Sequence, residues 1–415
     1  MPCHKAVQVL LLAVLTGGNA HPALTLAEVE RQALADDPAI GAVQARARAL
    51  EDMAVADGQL PDPQLRTGIY NLPLDNFDLE REPTTQFRLG IMQAFPRGDT
   101  LHYRQEQGEW MARAEQARAE TARRTLLRDV RNGFLELYYQ LQAELLIGKT
   151  RRLFAQLEDI TRAHYATGRV NQQDVLRASL ELSRLDDRTT RIRNEADRAR
   201  ALLSKWIGDS ASLELADGFP DMPALPAKTT LEARLPEHPA IHIETAKIEA
   251  SNRKISMTRE QYKPGWSAGL EYRKRFGDDP GGDDRADMMA AMLTVDLPLF
   301  TNSRQDRRLS ASIRQAESAQ LARADRLREL RQMLDSEYAS WQRLGERTAL
   351  YESQLLREAS ANAQASLNAY QSGTTEFTTL MRARITDLDM RLDALRARVD
   401  RARAQAALLY LAGEE

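Results

Sequence analysis

His238 and His242 stand four residues apart in a helix-like stretch, with Glu244 two residues further on. One helical turn could therefore offer two imidazoles and a carboxylate to a divalent metal, but two histidines without a firm third ligand make a weak site. Met288 and Met292 share one side of an alternating segment, where two thioethers would suit copper, fill space or meet lipid. The run Gly277-Asp-Asp-Pro-Gly-Gly-Asp-Asp284 has the composition of a calcium loop, yet its spacing does not fit an EF-hand, and it reads as an exposed turn. No Ser-His-Asp set, paired His-carboxylate arrangement or nucleotide-binding loop survives inspection. The sequence therefore predicts neither an enzyme nor a resident metal or cofactor.

The elements that must carry these residues are written twice. Asp37-Pro38-Ala39-Ile40 returns as His238-Pro239-Ala240-Ile241, Pro63 and Gly68 as Pro264 and Gly269, and Phe95-Pro96 as Leu297-Pro298. Tyr165-Ala-Thr-Gly168 returns as Tyr370-Gln-Ser-Gly373, and the pentapeptide Asp197 to Ala201 is identical to Asp400 to Ala404. Two copies of one unit point to a pseudo-symmetric pair rather than an open solenoid. The repeats are expected over 21–210 and 237–415, joined by a linker over 211–236.

Of 415 residues 28% are charged and only 6% aromatic, a balance that suggests long helices. The net charge of -3 argues against nucleic acid as a partner. Met1 to Lys5, the apolar run Val7 to Leu15 and Gly17-Gly-Asn-Ala20 read as a secretory signal over 1–20. The sole cysteine, Cys3, lies inside that segment, so neither disulfide nor lipid anchor is expected after export. After Ala20 the longest apolar run, Ala406 to Ala412, is far short of a transmembrane helix. If the exported chain enters a membrane, it must do so with strands.

No proline lies between Pro96 and Pro220 or after Pro298, so each copy holds a long helix-permissive tract. In the first, Leu127, Val130, Phe134, Leu137, Leu141 and Leu145 are spaced by three or four, one apolar stripe. Gly168 and Gly373 divide the tracts by taking the left-handed conformation that ends a helix. Long helices are thus expected over about 99–164 and 174–208, and over about 303–369 and 377–412, with tips at about 166–174 and 371–379. Kinks in one continuous helix are the alternative. Prolines 220, 223, 226 and 236 make the linker an irregular belt around the middle of the molecule.

The other half of each copy has a period of two. Leu65, Thr67 and Ile69 share one face of a strand over about 64–72, and Phe87, Leu89 and Ile91 one face of a strand over 86–95. Trp266, Ala268, Leu270 and Tyr272 oppose Ser267, Gly269, Glu271 and Arg273 over 265–274, and Met289, Ala291, Leu293, Val295 and Leu297 oppose Thr294 and Asp296 over 287–297. These have the length and alternation of transmembrane barrel strands. Four strands cannot close a barrel, and an open edge in lipid leaves backbone groups unpaired at several kcal/mol each. The chain must associate, as a dimer with eight strands or a trimer with twelve, and the polar inner faces favour the larger, channel-forming closure.

The repeated order helix, strand, strand, long helix, Tyr-x-x-Gly turn and returning helix, with Phe95-Pro96 and Val295-Asp-Leu-Pro298-Leu-Phe300 closing the second strands, resembles the TolC family of outer-membrane efflux proteins. The stretch Leu60-Pro-Asp-Pro63 through Asn71-Leu-Pro73 and Gln93-Ala-Phe-Pro-Arg-Gly-Asp99 is most similar to the branch serving heavy-metal exporters. The resemblance implies a mixed α and β membrane protein in the outer membrane of a Gram-negative bacterium. It also implies a homotrimer with a 12-stranded β-barrel and an α-helical periplasmic tunnel. An inner-membrane pump of the resistance-nodulation-division class would supply the energy through a periplasmic adaptor. The tunnel would be pinched at the helix tips by polar links, around Tyr165, Gly168, Asp174, Tyr370, Gly373, Glu376 and Thr379, with Pro96 and Pro298 as strand-closing turns. Asp174 matches the family's acidic tip position, whereas its counterpart is Thr379, with Glu376 nearby as a substitute. Three copies of Asp174 would attract cations; equally, Asp174 could N-cap the returning helix.

Rival classes predict different features. A secreted coiled-coil protein accounts for the helices but not for four amphipathic strands, and a periplasmic adaptor has one hairpin, not two. A type I secretion duct shares the family architecture and would pass polypeptides.

Overall fold

The computed structural model describes residues 23–35 and 37–413. The leader expected over 1–20, with Cys3, lies outside them. Each half runs helix, two strands, long helix, turn and returning helix. The first gives α1 (Leu26–Ala35), α2 (Pro38–Asp57), β1 (Gln64–Tyr70), β2 (Gln86–Phe95), α3 (Thr100–Ala166) and α4 (Gln172–Ile207). After the linker come α5 (Lys228–Arg234), α6 (Pro239–Glu260), β3 (Gly265–Arg275), β4 (Met288–Asp296), α7 (Gln305–Leu350), α8 (Leu356–Gln371) and α9 (Phe377–Ala412).

The 67 residues of α3 make a rod about 100 Å long at 1.5 Å per residue. Val130, Phe134 and Leu137 of the expected stripe are buried, but Leu145 is 57% exposed. Steps of four advance a 3.6-residue helix by more than a turn, so 137, 141 and 145 drift off the packed face, and Ala143 and Ile147 take over the core. The second rod, unlike the first, is interrupted: Tyr351–Leu355 forms a π-helical turn between α7 and α8, which no Gly or Pro announces.

The bounds of the long helical hairpins, the tip glycines and the terminal caps Gly208 and Gly413 all repeat at an offset of 205 (413 − 208). The identical pentapeptides, Asp197 and Asp400, differ by 203 (400 − 197) and so are out of structural register by two residues. In a helix rich in Arg, Ala and Asp that identity is a coincidence of composition, not a landmark of the repeat.

The linker is more ordered than an irregular belt. Leu24 pairs with Leu215 in an isolated parallel bridge, with the Leu24 N–H on Glu214 O at 2.8 Å. The proline-free segment between Pro226 and Pro236 leaves room for α5, which buries Leu231, with Leu235 just after it, against Leu330 and Leu334 of α7.

The four strands form one antiparallel sheet in the order β1-β2-β3-β4, so β2 and β3 of different halves pair and β1 and β4 are free edges. One face is apolar and open, with Leu65 70%, Met289 74% and Leu293 68% exposed. Among the described residues no helix is long and apolar enough to cross a membrane.

Leu334→Ala should remove the side chain on which the linker rests. A loss of about 2–5 kcal/mol is expected for a fully buried leucine, read as a lower urea midpoint of the detergent-solubilised protein.

Candidate functional site at the helical tips and in the barrel

Both Tyr-x-x-Gly turns fold alike. Arg169 N–H donates to His164 O at 2.9 Å and Gly168 N–H to Tyr165 O at 2.9 Å; in the second copy Thr374 N–H reaches Ala369 O at 2.9 Å and Gly373 N–H reaches Tyr370 O at 3.1 Å. This crossed pair needs a left-handed residue, and Gly168 and Gly373 have φ of 72° and 74°. Asn171 and Glu376 then hold the N-cap positions of α4 and α9, without a side-chain capping hydrogen bond. Asp174 and Thr379 hold matching positions one turn in, each donating its N–H to the cap carbonyl, at 3.0 and 3.1 Å. Asp174 is therefore not the N-cap. Its carboxylate lies in the first turn, where the helix dipole favours a negative charge.

The two turns meet around one groove of about 650 Å³, into which His164, Arg169, Asp174 and Arg177 project from the first copy and Tyr370, Gly373 and Glu376 from the second. Glu376 stands at the position of Asn171, three residues before that of Asp174, yet borders the same groove. Thr379 is not among the groove residues, and Tyr165 is 47% exposed beside it. Tyr370 packs on Phe377, ring centroids 5.5 Å apart. Its hydroxyl is buried without a hydrogen-bond partner, an arrangement that costs energy unless a partner arrives.

A core shared by α3, α4 and α9, including Ile147, Phe154, Leu185, Phe377 and Leu388, holds the hairpins together behind the groove. Arg188 Nη1 donates to Asp389 Oδ1 at 2.8 Å between α4 and α9. Further along, Glu136 of α3 accepts from Arg396 at 3.0 Å and lies 2.8 Å from Arg403, both of α9, while Arg396 covers the Tyr139 ring at 3.5 Å. Burial pushes the Glu136 carboxyl up, but the two arginines and Gln140 outweigh it and hold it below the usual carboxylate range. These links escaped the sequence reading because their partners lie 201 and 260 residues apart. Charges spaced along a helix look like a solvated face.

At the other end the sheet meets the rods. Pro96 directly follows β2, whereas Pro298 stands two residues beyond Asp296, the last residue of β4. Phe95 stacks on Trp266 at 3.9 Å. Glu260 accepts from the Asp99 N–H at 2.8 Å and pairs with Lys263 at 2.6 Å, clamping the start of α3 to the end of α6.

A free-edged sheet with an open apolar face, set on two helical hairpins whose tips meet, is what the family comparison then names. The family model described as outer membrane efflux protein matches residues 29–209 and again 231–414, one match to each half. The chain belongs to the outer membrane efflux protein family. Its place is the outer membrane. Among solved structures it is similar to the outer-membrane channel OprN, at 18% identity and TM-score 0.78, covering 94% of this chain and 90% of that one. It is similar to CusC at 15% and 0.80, covering 94% and 92%, and to the open state of MtrE from Neisseria gonorrhoeae at 15% and 0.79, covering 94% and 88%. No curated protein matches the chain.

In this efflux-family fold the metal-like motifs have other roles. His238 Nδ1 accepts from the Ala240 N–H at 3.1 Å, so Nε2 carries the proton and donates to Tyr410 O at 3.2 Å. It caps α6 as Asp37 caps α2, and both ring nitrogens are taken. His242 points away to Glu237 at 3.2 Å. Among the described residues no group of three or more His, Cys, Asp or Glu is placed to hold a metal. Met288 and Met292 pair across the sheet with Arg273 and Gly269, on the polar rather than the lipid-facing side. The loop of Gly277 to Asp284 closes on itself through Asp279 N–H to Asp283 O at 2.7 Å and Gly282 N–H to Asp279 O at 2.9 Å.

Burial, with the nearby Arg124 charge, pushes His238 from 6.5 down to about 4. Because the folded value lies below the unfolded one, its contribution is complete above 6.5 and is lost as pH falls from 6.5 towards 4. His238→Asn keeps the cap without the titration, so the stability difference between about pH 7 and 4 should shrink by about 3 kcal/mol in urea unfolding. Gly373→Ala forces a Cβ into the left-handed turn and should cost about 1 kcal/mol by the same measurement.

Proposed function

We propose that three copies close their sheets into one 12-stranded barrel and that the hairpins form a tunnel beneath it, making a passive exit duct of a tripartite efflux system. The free edges of β1 and β4 below an open apolar face carry this reading, since lipid leaves no other partner for their backbone groups. The duct has no catalytic role. A resistance-nodulation-division pump of the inner membrane supplies the energy, and a periplasmic adaptor, or membrane fusion protein, joins pump and tips. The tip groove is the gate. Asp174 and Tyr370 both line it, and the unpartnered Tyr370 hydroxyl is a donor for a carboxylate that approaches as the tips draw together. Arg169, Arg177 and Glu376 complete the charged surroundings.

The substrate follows from the pump. The heavy-metal reading rests on Leu60 to Pro73 and Gln93 to Asp99 alone, and CusC, at a TM-score of 0.80, is matched by an unnamed Pseudomonas aeruginosa membrane protein at 0.80. A type I secretion duct would need the same barrel and tunnel, with a different pump.

Single-channel recording in a planar bilayer tests the duct and its gate together. Wild type should show a small, mostly closed conductance. Asp174→Ala and Tyr370→Phe should each raise it severalfold, and Asp174→Ala should also lower cation preference and the response to millimolar divalent cations. A chain that stays in water without detergent and never conducts overturns the duct; unchanged conductance in both variants overturns the gate.

A further inference from the structure

The register of the sheet assigns every strand residue to one of two faces. Opposite the apolar face lie two neighbouring cross-sheet rows: Arg66, Gly90, Glu271 and Ala290, then Gly68, Arg88, Arg273 and Met288. The glycines give the long side chains room, since a Cβ on Gly90 would meet Glu271 Cβ and Cγ at 3.4 Å. Glu271, 9% exposed, is taken by Arg273, Nε to Oε1 at 2.6 Å. Arg88 is further off, at 3.8 Å, with its guanidinium over the Tyr70 ring at 3.9 Å and its Nε without a hydrogen-bond partner. Arg66 is exposed, 3.5 Å from Gln64 Oε1, and makes no ion pair among the described residues. Three arginines against one carboxylate leave two surplus positive charges per chain in these rows.

We infer that this face forms an arginine belt inside the barrel, which concentrates anionic solutes and disfavours cations at the exit of the duct. The inference rests on the barrel reading, for only closure turns the polar face into a lumen. The loops beyond the belt are acidic, with Asp75, Asp78, Glu80 and Glu82 in one and Asp278, Asp279, Asp283 and Asp284 in the other. Those carboxylates stand in open water, where salt screens them beyond about 8 Å. The belt instead lines a confined passage with low-dielectric walls that focus its field. A solute leaving the cell thus passes a basic belt before an acidic rim.

Thiol reaction rates read the local potential directly. With Cys3, the sole cysteine, changed to serine, Met292→Cys places a thiol one row below the belt, and Leu293→Cys places one on the opposite face. The proteins are reconstituted in lipid vesicles and treated with an anionic and a cationic methanethiosulfonate. At Met292→Cys the anionic reagent should be favoured by about tenfold over the ratio for a free thiol, and Leu293→Cys should stay unreactive in lipid. Adding Arg66→Gln and Arg88→Gln should bring the ratio back towards the free-thiol value; Arg66→Gln alone, at an exposed side chain, should move it part of the way should the double change fail to assemble. A wild-type ratio equal to the free thiol's or favouring the cationic reagent, or a ratio unmoved by loss of the arginines, overturns the belt. Equal reactivity of the two cysteines shows instead that the barrel itself is absent.

Discussion

A backbone amide in hydrocarbon must be paired, and this requirement shapes the whole chain. Each half contributes only two strands, so the halves first join through β2 and β3, and the resulting sheet still ends in two open edges. One face is apolar along its length, and the other carries the arginines, Glu271 and the glycines that accommodate them. A soluble sheet with this pattern would be an aggregation hazard. In an outer-membrane efflux protein the same edges are what the proposed closure with further copies would pair.

The rods below answer a different problem. A helix of 67 residues buries nothing by itself, and its stability comes from neighbours along its length. α3 is packed successively against α1 and α4, then α9, by separate clusters rather than by one core. Between these clusters the half-buried pairs of Glu136 with Arg396 and Arg403 fix which face of α9 meets α3. The junction at Glu260 and Asp99 then sets the rods beneath the sheet.

Duplication supplies the frame, and the two halves depart from it at particular residues. The tip turns share their crossed hydrogen-bond pair, but Asn171 corresponds to Glu376 and Asp174 to Thr379, which does not line the groove, so the groove is not symmetric. The caps of α2 and α6 are the same device in different chemistry, an aspartate and a neutral histidine. The π-turn at Tyr351–Leu355 has no counterpart in α3.

Local rules made much of this visible in the chain. Alternation of period two marked the strand faces, the absence of proline marked the rods, and the two glycines marked the tips, because each follows from backbone geometry at neighbouring residues. The same rules misled where a local pattern was given a long-range meaning. His238 and His242 have metal spacing, but one is turned inward to cap a helix; the shared Asp-Arg-Ala-Arg-Ala is two residues out of register; Leu145 continues a stripe that the helix has already rotated away. The sequence by itself determined where helices, strands and turns lie and that the sheet is too small to close. Only the tertiary structure decided that both tips enclose one groove, that Glu136 holds α9, and that Arg88 of the first half lies beside Arg273 of the second, because these depend on contacts between residues about two hundred positions apart.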